Sequence, residues 1–226
     1  MKKPMFAEEQ IYHIYNRGVE KRDIFLDDAD YLRFIHNLFE FNDNAPVLNA
    51  GYYFNPETIS SEVQKERKQR KLLVEILVFT LMPNHFHLLL RQQRANGIVR
   101  FMQKLGTGYT MYFNKKYDRV GGLFQGRFKA VLVGKEAHFI HLPCYIHTNP
   151  LNLNYRGSTS IKFLESYKWS SFLDYIGKKN FPSVTNRTFI LNVFGGEEGC
   201  RKYIEDWVME NKNKKHLELI NDVLLD

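Results

Sequence analysis

The chain has few of the residues that cross-link a protein or anchor it in a membrane. Its 226 residues include two cysteines, Cys144 and Cys200, which lie far apart and form no Cys-x-x-Cys motif. Neither a disulfide framework nor a cysteine zinc site is therefore expected. The low cysteine content is consistent with a protein of the reducing cytoplasm. The most apolar stretch, residues 72–82, is interrupted by Glu75 and is too short to span a bilayer. The start also lacks an apolar signal core, so we expect a cytoplasmic protein outside the membrane.

The chain has fewer acidic than basic residues. The chain has 25 Asp and Glu against 32 Lys and Arg, which gives a formal net charge of +7. This excess favours an anionic partner such as nucleic acid. Hydrophobic residues make up 44% of the sequence, enough for one sizeable core at this length. We predict one catalytic-sized domain, residues 1–155, followed by an extension, residues 156–226.

Hydrophobic periodicity predicts the element order β, α, β, β, α, β, α. The predicted strands are 11–17, 72–81, 85–91 and 127–133, and the predicted helices are 27–41, 96–116 and 136–147. This order indicates an α+β fold, an antiparallel sheet with helices packed on one face. Residues 42–71 are predicted to be an exposed insertion whose charged run forms a solvated helical face. The extension is predicted to be helical.

His85 and His87 form a His-x-His motif on the third predicted strand. Alternate residues of a strand project from the same face with backbones about 6.7 Å apart, so the two imidazoles can converge on one ion. Together with a third ligand they would leave coordination positions open for phosphate oxygens, which the ion would polarise as a Lewis acid. A bare His-x-His is more often one surface histidine and one hydrogen-bonded core histidine. The His-x-His motif alone therefore does not predict a metal site, and the surrounding sequence has to be considered.

The string Met82-Pro-Asn-His-Phe-His-Leu-Leu-Leu90 closely resembles the HUH strand of small tyrosine transposases, in particular the branch associated with repetitive extragenic palindromes (REP). Further matching strings follow in the same order: Phe101-Met-Gln-Lys-Leu-Gly-Thr-Gly-Tyr-Thr-Met-Tyr-Phe-Asn114, Leu123-Phe-Gln-Gly-Arg-Phe-Lys129, Tyr145-Ile-His-Thr-Asn-Pro150 and Trp169-Ser-Ser. The resemblance covers residues 11–175 and implies a ferredoxin-like sheet whose HUH histidines hold Mg²⁺ or Mn²⁺. It also implies a substrate of single-stranded DNA folded into an imperfect hairpin. In that family a tyrosine on a following helix attacks the phosphate and forms a 5′-phosphotyrosine link.

The chain departs from this family at the nucleophile. Seven residues before the tyrosine of Tyr-Ile-x-x-Asn-Pro, where the family has its tyrosine, this sequence has His138. On a helix, His138, His141 and Tyr145 share one stripe. Three alternatives are open: a kink at Pro143 redirects Tyr145, His138 itself acts as nucleophile or ligand, or the covalent chemistry is lost and hairpin binding is retained, with or without metal-assisted hydrolysis. His141 is the nearest candidate for a third metal ligand.

Four residues are candidates for holding DNA. Arg127 and Lys129 alternate on a predicted strand, so the two cations share a face. Asn16 and Arg17 end the first predicted strand at a turn, where Arg17 could bind a phosphate or a guanine edge bidentately.

The sequence therefore predicts a metal-dependent enzyme that cleaves and rejoins single-stranded hairpin DNA. The alternative is a non-catalytic hairpin-binding protein derived from a transposase. Related transposases include dimers and monomers, so a homodimer is left open.

Overall fold

The computed structural model describes residues 5–46, 70–153 and 161–210 and contains one antiparallel sheet with helices on both faces. The strands are β1 (Ile11–Arg17), β2 (Val74–Met82), β3 (His85–Gln92) and β4 (Lys129–Val133). The helices are α1 (Asp28–Glu40), α2 (Gly97–Lys116), α3 (Glu136–Thr148), α4 (Ile161–Ser166), α5 (Phe172–Tyr175), α6 (Thr188–Phe194) and α7 (Glu197–Glu210). The predicted insertion lies mostly outside the described residues.

The sheet has the strand order β2-β3-β1-β4, and every neighbouring pair is antiparallel. α1 connects β1 to β2, and α2 connects β3 to β4, so each helix crosses over the sheet between its two strands. This is the ferredoxin-like arrangement, and the predicted α+β fold class is confirmed. β1 and β3 are the two central strands, which places the His-x-His motif in the middle of the sheet.

The two crossover helices pack on one face. Sheet residues such as Ile14 and Leu88 form one core cluster with Phe34 of α1 and Phe101 of α2. α1 begins at an N-cap, because the side chain of Asp27 accepts a hydrogen bond from the third backbone N–H beyond it at 3.0 Å. The sequence predicts helices packed on one face of the sheet, and α1 and α2 are the helices on that face.

α1 and α2 are also joined by a buried ionic cluster around Asp30, whose side chain is fully buried. Lys116 Nζ lies 2.8 Å from Oδ1 of Asp30. The hydroxyls of Tyr112 and Tyr117 donate to the same carboxylate at 3.0 and 2.8 Å, and the backbone N–H of Leu26 donates at 2.8 Å. The cost of burying this charge is therefore offset by one cation and three hydrogen-bond donors.

The opposite face carries a second helical layer made by α3 and the extension. Leu89 of the sheet forms a core cluster with Leu142 and Ile146 of α3 and with Phe172 and Ile204 of the extension. This layer arises because the apolar stripe of α3 needs the second sheet face for its burial. The predicted helical character of the extension is confirmed over residues 161–210. Within the described ranges, no helix is both long and apolar enough to cross a membrane.

The extension also covers the outer edge of β2. The backbone N–H of Leu81 donates to the carbonyl of Trp169 at 2.9 Å, and the N–H of Ser171 donates to the carbonyl of Phe79 at 3.0 Å. The N–H of Asn186 reaches a further β2 carbonyl at 2.9 Å. The Trp-Ser-Ser string therefore attaches the extension to the sheet through its backbone.

Candidate active site

His85 and His87 lie on the same face of β3, as the strand period predicts. The register places Tyr15 of β1 beside His87 and Arg17 beside His85. A third histidine, His13, lies on the same face of β1, and its Nε2 is 2.9 Å from Nδ1 of His87. His87 is 5% exposed and His13 is 1% exposed. The centre of the sheet therefore brings three histidines together, of which the sequence analysis named two.

The Nδ1 atoms of the His85–His87 pair each have a neighbour. Nδ1 of His85 lies 2.6 Å from Oδ1 of Asn84, and because an amide oxygen only accepts, Nδ1 is the donor. Nδ1 of His87 faces His13, whereas Nε2 of His87 forms no hydrogen bond to any described residue. Nε2 of His85 lies 3.4 Å from Oδ1 of Asn149. This arrangement leaves both Nε2 atoms as candidate metal ligands.

Asn149, directly after α3, adds an amide oxygen beside the pair. Its side chain is 4% exposed, and its Nδ2 has no hydrogen-bond partner among the described residues. Because Nδ1 of His85 is the donor, Nε2 is an acceptor and faces a second acceptor, the Asn149 oxygen. A cation between the two would satisfy both, and amide oxygens suit Mg²⁺ and Mn²⁺.

A metal ion bound by His85 and His87 needs the amide oxygen of Asn149 as its third protein ligand. In the part of the chain that the structure describes, no three His, Cys, Asp or Glu side chains are arranged to hold a metal ion. Two imidazole nitrogens and one amide oxygen fit a divalent ion whose remaining positions are filled by water or phosphate oxygens.

Burial keeps the pair in the form that binds metal. The pKa of His87 lies well below its usual 6.5, chiefly because burial penalises the imidazolium, with His13 and His85 adding to the effect. Burial also lowers the pKa of His85, partly opposed by its contact with Asn149. Neutral imidazole is the ligating form, so proton loss does not have to precede metal binding at neutral pH.

The C-terminal half of α3 lies beside the pair. The ring centroid of Tyr145 is 5.7 Å from that of His87 and 6.5 Å from that of His13. The helix continues through Pro143 to Thr148. His138 is 2% exposed and lies seven residues before Tyr145, about 10 Å along the axis at 1.5 Å per residue. The structure therefore places Tyr145 beside the pair and His138 two turns away.

His141, the third-ligand candidate from the sequence, faces the extension. Its ring centroid is 5.5 Å from that of Trp207 on α7. The structure thus brings His141 to the second helical layer and gives Asn149 the place beside His85. The sequence predicts no role for Asn149, which lies in the matching string Tyr145-Ile-His-Thr-Asn-Pro150.

A buried hydrogen bond fixes α3 at the position of Tyr145. His147 is 1% exposed, and its Nε2 donates to Oγ of Ser171 at 2.9 Å, while that hydroxyl donates to the carbonyl of Phe79 at 3.2 Å. Burial lowers the pKa of His147 to about 3. A neutral histidine therefore ties the helix that carries Tyr145, and that ends directly before Asn149, to β2.

Of the predicted DNA-contacting cations, Arg17 lies beside His85, and Lys129 lies one strand further, beside Tyr15. Arg17 is partly exposed, and its Nε donates to Oε1 of Gln125 at 2.6 Å. Nζ of Lys129 is 5.8 Å from the ring centroid of Tyr15. Lys129 and Arg127 are exposed, although β4 begins at Lys129 and Arg127 precedes it instead of lying in the strand.

Asn16 is placed differently from these cations. Its Oδ1 accepts from the backbone N–H of Arg17 at 2.9 Å, and its Nδ2 donates to the carbonyl of Gly126 at 3.3 Å. The side chain is 9% exposed. In this position Asn16 holds the loop before β4 against the end of β1.

These features define a transposase-like protein: a ferredoxin-like sheet, a His-x-His strand at its centre, and a tyrosine on a helix beside it. The sequence matches the family described as "Transposase IS200 like" over residues 32–149, more than half of its 226 residues. The chain belongs to this family, and the resemblance found from the sequence is confirmed. No curated protein matches the chain.

Five chains among the solved structures match this protein, and one of them can be described in detail. It is described as a REP-associated tyrosine transposase bound to a REP hairpin. The TM-score is 0.53 at 13% identity, over 83% of this chain and 94% of that one. At this identity the likeness concerns the fold, which it supports over most of both chains.

Proposed function

We propose that this protein binds single-stranded DNA folded into a hairpin, and cleaves and rejoins it in a reaction that depends on a divalent metal. Membership of the transposase family supports the reaction class, and the fold shared with a hairpin-bound transposase supports the substrate. The observation that carries the proposal is the contact of Tyr145 with His87, with 5.7 Å between their ring centroids. It unites a nucleophile with the His-x-His pair despite the histidine at position 138.

Tyr145 is the nucleophile in this proposal. Its phenolic oxygen loses a proton and bonds to the phosphorus of a DNA phosphate, while the bond from phosphorus to the 3′ oxygen breaks. The leaving 3′ oxygen takes up a proton, and the strand is left attached to Tyr145 through its 5′ phosphate. Attack of a 3′-hydroxyl on this phosphotyrosine rejoins the strand and releases the phenol, which takes back a proton.

His85, His87 and Asn149 would hold the metal, Mg²⁺ or Mn²⁺. When bound there, such an ion supplies Lewis-acid polarisation of the phosphate. The chain's own cations contact the DNA phosphates in this proposal: Arg17 beside His85, Lys129 beside Tyr15, and the exposed Arg127. Contacts of this kind bind the backbone without reading its sequence.

The second candidate is a hairpin-binding protein without catalysis. The observation that favours it is His138, which stands where the resemblance implies the nucleophile and is 2% exposed. In this case Tyr145 only packs against the histidines, and the cations retain the DNA.

The two candidates are separated by incubating labelled hairpin DNA with the protein and Mn²⁺. Cleavage and covalent protein–DNA bands are read on denaturing gels, and binding is measured separately. We expect both products from the natural chain and none from His85→Ala. Tyr145→Phe should bind DNA but form no covalent band. Tyr203→Phe, which alters a 46% exposed tyrosine on α7, is the matched control.

Each other result has a defined meaning. Binding without cleavage by the natural chain would favour the second candidate. Cleavage without a covalent band would indicate hydrolysis, and a covalent band that persists in Tyr145→Phe would show that another residue is the nucleophile. Cleavage that survives His85→Ala would remove the metal role of the pair.

A further inference from the structure

His13 is a buried histidine to which the proposed chemistry gives no task. It lies in the middle of β1, a central strand, and is 1% exposed. Its ring stacks on that of His87 with centroids 5.1 Å apart and 20° between the planes. A polar ring in such a place costs free energy unless it is hydrogen-bonded, and the contact of its Nε2 with Nδ1 of His87 at 2.9 Å supplies a partner.

We propose that His13 is a positioning residue that fixes the tautomer and the ring orientation of His87, so that Nε2 of His87 is unprotonated and available to the metal. The inference rests on the proposed function, because it assigns a task within the same metal site. His13 touches neither the ion nor the DNA in this proposal and acts only through His87.

The hydrogen bond between two neutral imidazoles needs one proton between Nε2 of His13 and Nδ1 of His87. If His87 carries it, Nε2 of His87 keeps its lone pair and can ligate. If His13 carries it, the proton of the neutral His87 ring moves to Nε2, which can then no longer ligate.

The surroundings of His87 favour the first arrangement. Its Nδ1 lies 2.9 Å from Nε2 of His13, whereas Nε2 of His87 has no hydrogen-bond acceptor among the described residues, so only a proton on Nδ1 has a partner in the protein. The other histidine of the pair shows the same pattern, since Nδ1 of His85 donates to Asn84 at 2.6 Å. His13 and Asn84 thus have equivalent positions, one behind each ligand.

Ring contacts restrict His87 further but do not select a tautomer. Tyr15 stacks on one side with centroids 5.9 Å apart, and Tyr145 meets it edge-on at 5.7 Å. These contacts limit the tilt of the ring. The rotation that decides where each nitrogen points is set by the hydrogen bond to His13. Partners of this kind behind a metal ligand are worth about 10- to 100-fold in metal affinity.

The test compares His13→Leu, which removes the acceptor, with His13→Gln, whose amide oxygen can still accept from Nδ1. Mn²⁺ affinity of the DNA-free protein is measured by calorimetry or by electron paramagnetic resonance. We expect His13→Leu to weaken Mn²⁺ binding about 10- to 100-fold and His13→Gln to restore most of it. His36→Gln, on α1 across the sheet, is the matched control and should bind as the natural chain does.

A second measurement does not depend on metal binding. In the metal-free natural chain with ¹⁵N-labelled histidine, two-bond ¹H–¹⁵N correlations report which nitrogen of His87 carries the proton. We expect Nδ1 to be protonated and Nε2 not. A proton on Nε2 of His87 would overturn the inference, even if the protein cleaves DNA. An unchanged Mn²⁺ affinity in a folded His13→Leu chain would also overturn it. If the natural chain binds no Mn²⁺, the metal part of the proposed function fails, and the tautomer alone decides the role of His13.

Discussion

Acid should loosen the helix that carries Tyr145, because His147 is buried in its neutral form. The change to be tested is His147→Gln, since a glutamine amide nitrogen can take the place of Nε2 and donate to Ser171 Oγ without titrating. At neutral pH the substituted chain should keep α3 attached to β2. As the pH falls, the natural chain should lose stability that His147→Gln retains.

The size of this effect follows from the pKa values. Burial places the pKa of His147 at about 3 in the folded chain, against 6.5 for a free histidine. The unfolded chain therefore takes up a proton first, so the contribution of His147 is present above pH 6.5 and is lost as the pH falls towards 3. At about 1.4 kcal/mol per pKa unit, the loss between pH 7 and pH 5 is about 2 kcal/mol.

Urea unfolding at pH 7, 6 and 5 measures this loss in both chains. The unfolding free energy of the natural chain should fall by about 2 kcal/mol more than that of His147→Gln between pH 7 and 5. Ser171→Ala is the control: it removes the hydrogen bond but keeps the titrating group, so it should be less stable at pH 7 and still sensitive to acid. Equal pH slopes in the natural chain and His147→Gln would refute the reasoning.

Three further outcomes are expected. Asp30→Ala should lower the unfolding free energy by about 3 to 5 kcal/mol in chemical denaturation, because it leaves a partly buried lysine and three hydrogen-bond donors without their carboxylate; a loss below 1 kcal/mol would contradict the role of the cluster. Lys129→Ala should weaken hairpin binding and reduce the slope of log affinity against log salt by about 0.7 to 1, whereas Lys202→Ala, an exposed lysine on α7, should change neither. His138→Tyr combined with Tyr145→Phe should form no covalent protein–DNA band, since position 138 lies two turns from the pair; a recovered band would show that the helix, or that of a second copy, can bring this position to the histidines.

Hydrophobic period was enough to predict the four strands and α1 to α3, whereas the extension was predicted only to be helical. The period-2 pattern placed His85 and His87 on one face, and the predicted strands 72–81 and 85–91 leave the turn between them where the structure has it, between β2 and β3. The predicted helix 27–41 agrees with α1 to within one residue at each end, because a carboxylate before an amphipathic run is a local signal for a helix start.

The rest of the site depends on contacts that a single sequence does not encode locally. His13 joins the pair only through the register of β1 against β3, which is set by packing between distant segments. Tyr145 and His138 share a helical stripe, and the choice between them follows from the direction in which α3 crosses the sheet. Asn149 lies in the matching string Tyr145-Ile-His-Thr-Asn-Pro150, but its nearness to His85 is again a tertiary contact.

The covered edge of β2 bears on how this chain can be cut or assembled. A sheet has two outer edges, here β2 and β4, and an uncovered edge offers unpaired N–H and C=O groups to strands of other molecules. A fragment that ends before Ile161 would expose β2 in this way and should tend to aggregate, although it keeps every residue of the candidate site. Among the described residues the extension covers the edge of β2, so strand addition between two copies would use β4, where Leu132 is 46% exposed.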